Sequence, residues 1–305
     1  MIQLNQSVLD NKTTNTSAKI ILDSKIDGKR ITTFEIILPR IILAEVNTHK
    51  IVSKNYQSSR AIPNEKLLEL CTFIPSIWWM NAKGMQPKEI APKEIADQAI
   101  VIWETARQLM IEKSSELAEL GIHKQIVNRL IEPWMYTTGV ITATEKGLSN
   151  LFNLRIHGDA QYEFQELANC ILQAYESSIP KERFMHLPYA DYREDIPYTN
   201  NEFKQKIVNS AATIARVSYI NLNANKTYDE NLKLFNHLIM TEPVHASPCE
   251  HQAFSKWIWG CGFLDQNKLQ EYADEGIIVA NDLYGNFLDI IQLRKLIEYK
   301  LIDFK

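Results

Sequence analysis

The residues best suited to chemistry lie in one short stretch, residues 47–60. No acidic residue occurs from Val46 to Asn64, although the whole chain carries a net charge of −4. The stretch combines cations with short hydrogen-bonding side chains: His49, Lys50, Lys54 and Arg60 with Ser53, Asn55, Ser58 and Ser59. This mixture suits a phosphate, because the charges attract it and the hydroxyl and amide groups orient it. On composition alone, a solvated basic loop is the alternative.

A second candidate is Arg155, at the end of a predicted helix over residues 145–155. Arg155 follows Leu148 by seven residues, so it shares the apolar stripe of that helix. We expect its head to point inward, where an unpaired charge is costly. Its partner is either a carboxylate at the helix margin, Glu145 or Asp159, or a bound ligand.

A third candidate is the segment 245–251, which reads His-Ala-Ser-Pro-Cys-Glu-His. With Cys261 it offers the imidazole and thiolate groups that zinc prefers, although this spacing is not a usual structural zinc pattern. A zinc site and ordinary core or surface histidines both remain open on these residues. We find no convincing Ser-His-Asp or Cys-His arrangement, so no cysteine is predicted to be catalytic, and Cys249 is expected to serve in packing.

The stretch 47–60 resembles the signature of the flavin-dependent thymidylate synthases, Arg-His-Arg-x-x-Ser-x-Asn-Glu-x-Ser-x-Arg. Five positions match in register: His49, Ser53, Asn55, Ser58 and Arg60. Three depart, with Thr48 and Lys50 in place of the two flanking arginines and Tyr56 in place of the glutamate. The departures on the nucleotide side are Thr48, Tyr56 and a third, Glu45 in place of the usual glutamine, and they leave the substrate open.

Four further segments resemble other blocks of the same family. They are residues 125–133, 150–165, 215–219 (Ala-Arg-Val-Ser-Tyr) and 245–251. In the best-known members the last two blocks precede the basic motif, whereas here they follow it. The order resembles a permuted, phage-like branch of the family. Permutation would place the C-terminal residues 286–295 beside the site, where Gln292 and Arg294 could supply missing groups.

The resemblance implies a flavin-dependent methylation of dUMP to dTMP, with FAD as cofactor and methylenetetrahydrofolate and NADPH as co-substrates. The implied FAD-binding residues are His49, Lys50, Asn150, His245 and Ser247. The implied nucleotide-binding residues are Ser58, Arg60, Arg129 and Arg155. Arg155 is also the implied catalytic residue, stabilising charge at the pyrimidine.

Other functions stay open beside this one. A related nucleotide such as dCMP or UMP, or hydroxymethylation in place of methylation, would fit the three departures. A non-catalytic nucleotide-binding member of the family is the alternative from another class. The resemblance also implies a homo-oligomer, a tetramer.

Composition sets the frame for these residues. The 305-residue chain is 45% hydrophobic and 23% charged, as in ordinary globular proteins. Net acidity argues against binding a nucleic-acid polymer, and no stretch approaches a membrane span. Four scattered cysteines suit a reduced, cytoplasmic protein. We expect a flexible tail over residues 1–17 and a single domain over 18–305.

The elements that must position the candidate residues follow from local patterns. Two strand-like runs, 19–23 and 30–38, flank Asp27-Gly28, a hairpin turn signal. Apolar residues at helical spacing predict a long helix over 95–120. The basic stretch is expected at the end of a short helix and in the loop after it. The predicted fold class is α+β, a mixed sheet flanked by long helices.

Overall fold

The structure is a computed structural model that describes residues 14–190, 198–219, 226–239, 241, 244–278, 280–302 and 304. Most of the predicted N-terminal tail therefore lies outside the described residues. Residues 14–16 are described: the Asn15 backbone N–H donates to the Tyr136 hydroxyl at 3.3 Å, and Thr16 is buried. The first strand begins at Ser17, so the predicted tail extends too far at its C-terminal end.

Strands and helices are mixed along these residues. The strands are β1 (Ser17–Ile26), β2 (Lys29–Pro39), β3 (Ser53–Tyr56), β4 (Tyr136–Thr144), β5 (Lys181–Glu182), β6 (Met185–His186), β7 (Ala253–Phe254) and β8 (Ile291–Gln292). The helices are α1 (Leu43–Val46), α2 (Asn64–Leu68), α3 (Lys93–Glu119), α4 (Lys124–Val127), α5 (Glu145–Arg155), α6 (Tyr162–Glu176), α7 (Asn200–Ala215), α8 (Tyr228–Ile239), α9 (Gln266–Asp274) and α10 (Leu293–Glu298). Short 3₁₀ helices include Asn128–Trp134, Arg216–Tyr219 and Ser247–Glu250.

Strands β1 to β5 form one sheet in the order β3-β4-β2-β1-β5. Strand β5 runs parallel to β1, whereas the other neighbours are antiparallel, so the sheet is mixed. A smaller sheet has the order β6-β7-β8. The predicted α+β class with a mixed sheet is confirmed.

The β1–β2 hairpin turns at the predicted dipeptide. Asp27 has φ 48° and Gly28 has φ 79°, so both central residues adopt the left-handed conformation. Type I′ turns need this conformation, and Asp-Gly supplies it at low cost. Local turn chemistry therefore fixes the start of the sheet.

The main sheet packs against α5 and α6 through a continuous apolar core. Its fully buried members are Phe34, Ile36, Leu38, Ile42, Ile141, Leu148, Phe164, Leu167 and Ile171. Helix α3 matches its predicted position to within two residues at its start. No helix among the described residues is long and apolar enough to cross a membrane.

The basic stretch does not form only a helix end and a loop, as expected. After α1 and a turn, residues Ser53–Tyr56 form edge strand β3, paired antiparallel with β4. Ser53 lies opposite Thr142, and Tyr56 lies opposite Gly139. A strand was not expected here because Ser, Lys and Asn have low strand propensity, but pairing with a long central strand overrides it.

Tyr56, which stands at the glutamate position of the motif, packs over Gly139. A Cβ on Gly139 would lie 2.3 Å from the Tyr56 ring. We expect Gly139→Ala to lower the free energy of unfolding by about 1–3 kcal/mol, because the ring must shift. Tyr56→Phe should be neutral or slightly stabilising, since the buried Tyr56 hydroxyl has no hydrogen-bond partner in the part of the chain that the structure describes.

Urea denaturation of the single variants measures both effects. A Tyr56→Ala background is the matched control, because removing the ring should abolish most of the cost of Gly139→Ala. An equal cost in both backgrounds would refute the packing argument.

Candidate functional site

Strand β3 sends its side chains alternately to two sides of the sheet edge. Ser53 and Asn55 are buried, and Lys54 and Tyr56 are half-buried. The Ser53 hydroxyl donates to the Glu250 carbonyl oxygen at 2.7 Å, and the Asn55 carboxamide lies 3.4 Å from Ser247 Oγ. The buried side of the motif therefore contacts the segment 245–251, almost two hundred residues later in the chain.

A cavity of about 680 Å³ opens where the motif meets the two late blocks. Its polar lining includes Asn55, Ser58, Arg60, Ser218, His245 and Ser247. The lining residues in the described part of the chain include no Asp or Glu. Cations, hydroxyls and amides without carboxylates can bind an anionic, hydrogen-bonding ligand.

Arg60 is one of two cations that line this cavity; it is exposed and has no ion-pair partner among the described residues. Beside it the Ser58 backbone N–H donates to the Ser218 carbonyl oxygen at 3.1 Å, joining two motif blocks. The predicted pair Ser58 and Arg60 is therefore brought together with the predicted pair His245 and Ser247.

Two lining residues were missed from the sequence, Lys124 and His237. The Lys124 ammonium donates to the Ala61 carbonyl oxygen at 2.8 Å, which holds α4 against the end of the motif. Lys124 directly precedes one of the family-like blocks, so its position gave a weak signal. His237 comes from α8 by tertiary packing, and no sequence pattern indicated it.

A second group forms around His49 on the far side of β3. The Arg155 Nε donates to His49 Nε2 at 2.9 Å, and its guanidinium carbon lies 4.5 Å from the centre of the Phe164 ring. Burial, with the charges of Arg155 and Lys54, lowers the pKa of His49 to about 4. His49 is therefore neutral near pH 7, and its Nε2 accepts.

Arg155 is not directed inward as expected, but is half-buried at the C-terminus of α5. Its partners, His49, Thr48 and Phe164, are all neutral, and no carboxylate pairs with it in the described structure. The apolar stripe of α5 ends at Phe152, and the long Arg155 side chain then lies along Phe164. The positive charge remains available to a ligand.

The predicted cofactor residues are divided between the two groups. His49, Lys50 and Asn150 do not line the cavity that His245 and Ser247 line, and Lys50 and Asn150 are exposed. Strand β3 links the groups, because the Lys54 ammonium donates to the His49 carbonyl oxygen at 2.5 Å. Burial and the charge of Lys50 lower the pKa of Lys54 to about 8.

Arg129, the remaining predicted phosphate ligand, is not brought to the cavity. Its guanidinium pairs with Glu132 at 2.7 Å, and Glu132 also pairs with Arg40 at 3.0 Å. The i,i+3 spacing of Arg129 and Glu132 explains this local pairing.

The zinc alternative finds no support at residues 245–261. No group of three or more His, Cys, Asp or Glu side chains among the described residues could hold a metal ion. Cys249 is completely buried, and burial raises the pKa of its thiol. This position suits the predicted packing role.

Part of the C-terminal segment 286–295 contacts the motif and the segment 245–251. Asn286 Nδ2 donates to Ser53 Oγ at 3.0 Å, and Gln292 Nε2 donates to the Glu250 carbonyl oxygen at 2.9 Å. Arg294 pairs with the Glu250 side chain. Gln292 and Arg294 therefore support the segment 245–251 and do not line the cavity.

Two buried histidines, His186 and His251, predict a dependence of stability on pH. Burial is the main cause that lowers the pKa of each to about 3, from an ordinary 6.5. Below pH 6.5 the unfolded chain binds more protons than the folded chain, so the free energy of unfolding decreases as the pH is lowered. When the pH is lowered from 6.5 to 5, each histidine should reduce the free energy of unfolding by about 1–2 kcal/mol.

The check is urea denaturation at both pH values. His186→Gln should lose about 1–2 kcal/mol less than wild type between the two pH values. His157→Gln, at an exposed position, should lose as much as wild type. Equal losses in the two variants would contradict the assignment of neutral, buried imidazoles.

Comparison with known proteins places the motifs in a family. A family model described as thymidylate synthase complementing protein matches residues 30–181, about half of the chain. The matched residues include the motif 47–60 and Arg155. The blocks 215–219 and 245–251 lie outside them, although the structure brings both to the cavity. No curated protein matches the chain.

The chain is also similar to parts of solved structures. It is 14% identical to the UMP/dUMP methylase PolB from Streptomyces cacaoi bound with 5-Br UMP, with TM-score 0.45, covering 53% of this chain and 89% of that chain. To the form bound with 5-Br dUMP it is 17% identical, with TM-score 0.40, covering 48% of this chain and 65% of that chain. To the flavin-dependent thymidylate synthase ThyX from Helicobacter pylori complexed with FAD and dUMP it is 21% identical. The TM-score is 0.33, and the similarity covers 48% of this chain and 67% of that chain. With the motifs and the family match together, the chain belongs to the thymidylate synthase complementing protein family, the flavin-dependent thymidylate synthases.

Proposed function

We propose that the protein methylates C5 of a pyrimidine nucleotide, converting dUMP to dTMP with methylenetetrahydrofolate, FAD and NADPH. The observation that carries the proposal is the cavity where the motif 47–60 meets the blocks 215–219 and 245–251. Its lining of cations and hydroxyls without carboxylates suits a nucleotide phosphate. Membership of the family supports the same reaction class.

Arg60 and Ser58 are the proposed phosphate ligands, and Lys124 is the second cation within the cavity. Lys124 takes the part that the sequence suggested for Arg129, whose charge Glu132 already neutralises. Ser218 and Tyr219 lie on the same wall and offer hydroxyls to the sugar or base.

The donor set of the chain fits a flavin. His245 and Ser247 line the cavity, and His49 offers a neutral imidazole. Reduced FAD would supply the hydride for the reaction, while the protein binds and orients both ligands. Because the His49 group does not line this cavity, we propose that a second copy of the chain supplies it, within the homotetramer that the resemblance implies.

Arg155 is the proposed catalytic residue. Among the described residues its guanidinium contacts only neutral partners, so it can stabilise negative charge as C5 of the pyrimidine reacts. A preorganised cation of this kind lowers the activation free energy by about 3–4 kcal/mol.

The second candidate function is the same type of reaction with another pyrimidine nucleotide or another product. The residue that favours it is Tyr56. The ring of Tyr56 covers Gly139 and its hydroxyl is buried, so the motif offers no carboxylate at this position. A substrate such as UMP or dCMP, or a hydroxymethyl product, would then replace dUMP or dTMP. A non-catalytic member would bind nucleotide without turning over.

The experiment is titration of the purified full-length chain with FAD and then with dUMP, UMP and dCMP. We expect flavin fluorescence to change on binding, and Arg60→Ala to weaken dUMP binding by about tenfold or more through loss of a phosphate contact. Lys88→Ala, an exposed cation outside the cavity, is the matched control. Wild-type protein that binds neither flavin nor nucleotide would refute the proposal.

Arg155→Ala should slow single-turnover flavin oxidation by about two to three decades while flavin is still bound. Arg155→Lys should be impaired almost as much, because it keeps the charge but loses the planar fork. Arg129→Ala, at a guanidinium paired with Glu132, is the control and should react close to the wild-type rate. A wild-type rate for Arg155→Ala would exclude Arg155 from the reaction.

A further inference from the structure

A buried chain of hydrogen-bonding side chains runs from the cavity into the main sheet. From the cavity inward its members are Ser247, Asn55, His251, Thr142, Thr33, His186 and Ser24. The contacts from Asn55 to Ser24 span 2.6–3.0 Å. Both histidines are completely buried.

The orientation of the Asn55 carboxamide is fixed by two backbone carbonyls. One carboxamide atom lies 3.0 Å from His251 Nε2 and 3.1 Å from the carbonyl oxygens of both Lys54 and Ser247. A carbonyl oxygen only accepts, so this atom is the amide nitrogen. The oxygen, Asn55 Oδ1, therefore faces Ser247 Oγ at 3.4 Å.

This orientation sets the proton of His251. Because His251 Nε2 accepts from the Asn55 amide, the proton of the neutral ring is on Nδ1. The Nδ1–H then donates to Thr142 Oγ1 at 2.8 Å. Thr142 is buried in strand β4, which is paired on both sides, so the ring connects the cavity wall to the interior of the sheet.

We propose that Thr142, His251 and Asn55 are positioning residues that fix the segment 245–251 and turn Ser247 toward the ligand as an acceptor. The Ser247 hydroxyl donates its hydrogen bond to Asn55 Oδ1, which leaves the Ser247 lone pairs to face the cavity. A ligand group at this wall must then be a donor. This inference rests on the proposed function only in naming the cavity as the nucleotide and flavin site.

The first test is the tautomer of His251, measured from the nitrogen shifts and couplings of the full chain labelled with ¹⁵N-histidine at pH 7. We expect His251 to carry its proton on Nδ1. A proton on Nε2, or a protonated ring, would overturn the proposal, whether or not any ligand binds.

The second test compares two identical substitutions on β4. Thr142→Val removes the acceptor of the His251 proton, whereas Thr137→Val removes a buried hydroxyl for which the described residues provide no hydrogen-bond partner. We expect the backbone amide shifts of residues 245–247 to change in Thr142→Val and to remain at wild-type values in Thr137→Val. Thr142→Ser, which keeps the hydroxyl, should restore them.

The third measurement is the Kd for dUMP, which connects the buried residues to the site. Thr142→Val should weaken binding by about tenfold, and Thr137→Val and Thr142→Ser should remain within about threefold of wild type. Thermal melting confirms that each variant is folded. Equal Kd values for the two valine variants would overturn the positioning role.

The outcomes separate this inference from the proposed function. If wild-type protein bound no dUMP while His251 had Nδ1–H and Thr142→Val moved residues 245–247, the proposed function would fail and the positioning of the segment would stand. If dUMP bound but His251 had the other tautomer, the positioning would fail alone.

Discussion

The pairing of edge strand β3 with β4 is the constraint on which the site depends. A strand presents successive side chains to opposite sides. Asn55 therefore points to the cavity, while Lys54 holds the turn that carries His49. One short strand serves two groups of polar residues, and its register against Thr142 fixes the spacing between them. A slip of one residue would exchange the two sides.

Neutral polar groups, not ion pairs, hold the buried side of the site together. The imidazoles of His186 and His251 lose their charge because burial penalises it, and each then acts as both donor and acceptor. Charged side chains remain at the rim, as with Arg60 and Arg155. This arrangement gives the segment 245–251 a rigid base and leaves the cations free for a ligand.

Local features of the sequence predicted local structure, and the remaining features needed long-range contacts. Asp27-Gly28 predicted its hairpin because the turn chemistry is contained in two residues. Residue types and spacing found Ser58, Arg60, His245 and Ser247, which the fold brings to one cavity. The pairing of β3, the approach of His237 and the division of the cofactor residues arise from distant segments, and no sequence window contains them.

The clamp between the two ends of the chain has a consequence for synthesis on the ribosome. Ser53 is held by Asn286, and Glu250 is held by Gln292, so an early strand and a late segment complete the same wall. The hairpin and the long helix can form while the chain is still being translated. This wall of the cavity can be completed only after Asn286 and Gln292 have left the exit tunnel, so binding competence comes later in synthesis than the hairpin and the long helix.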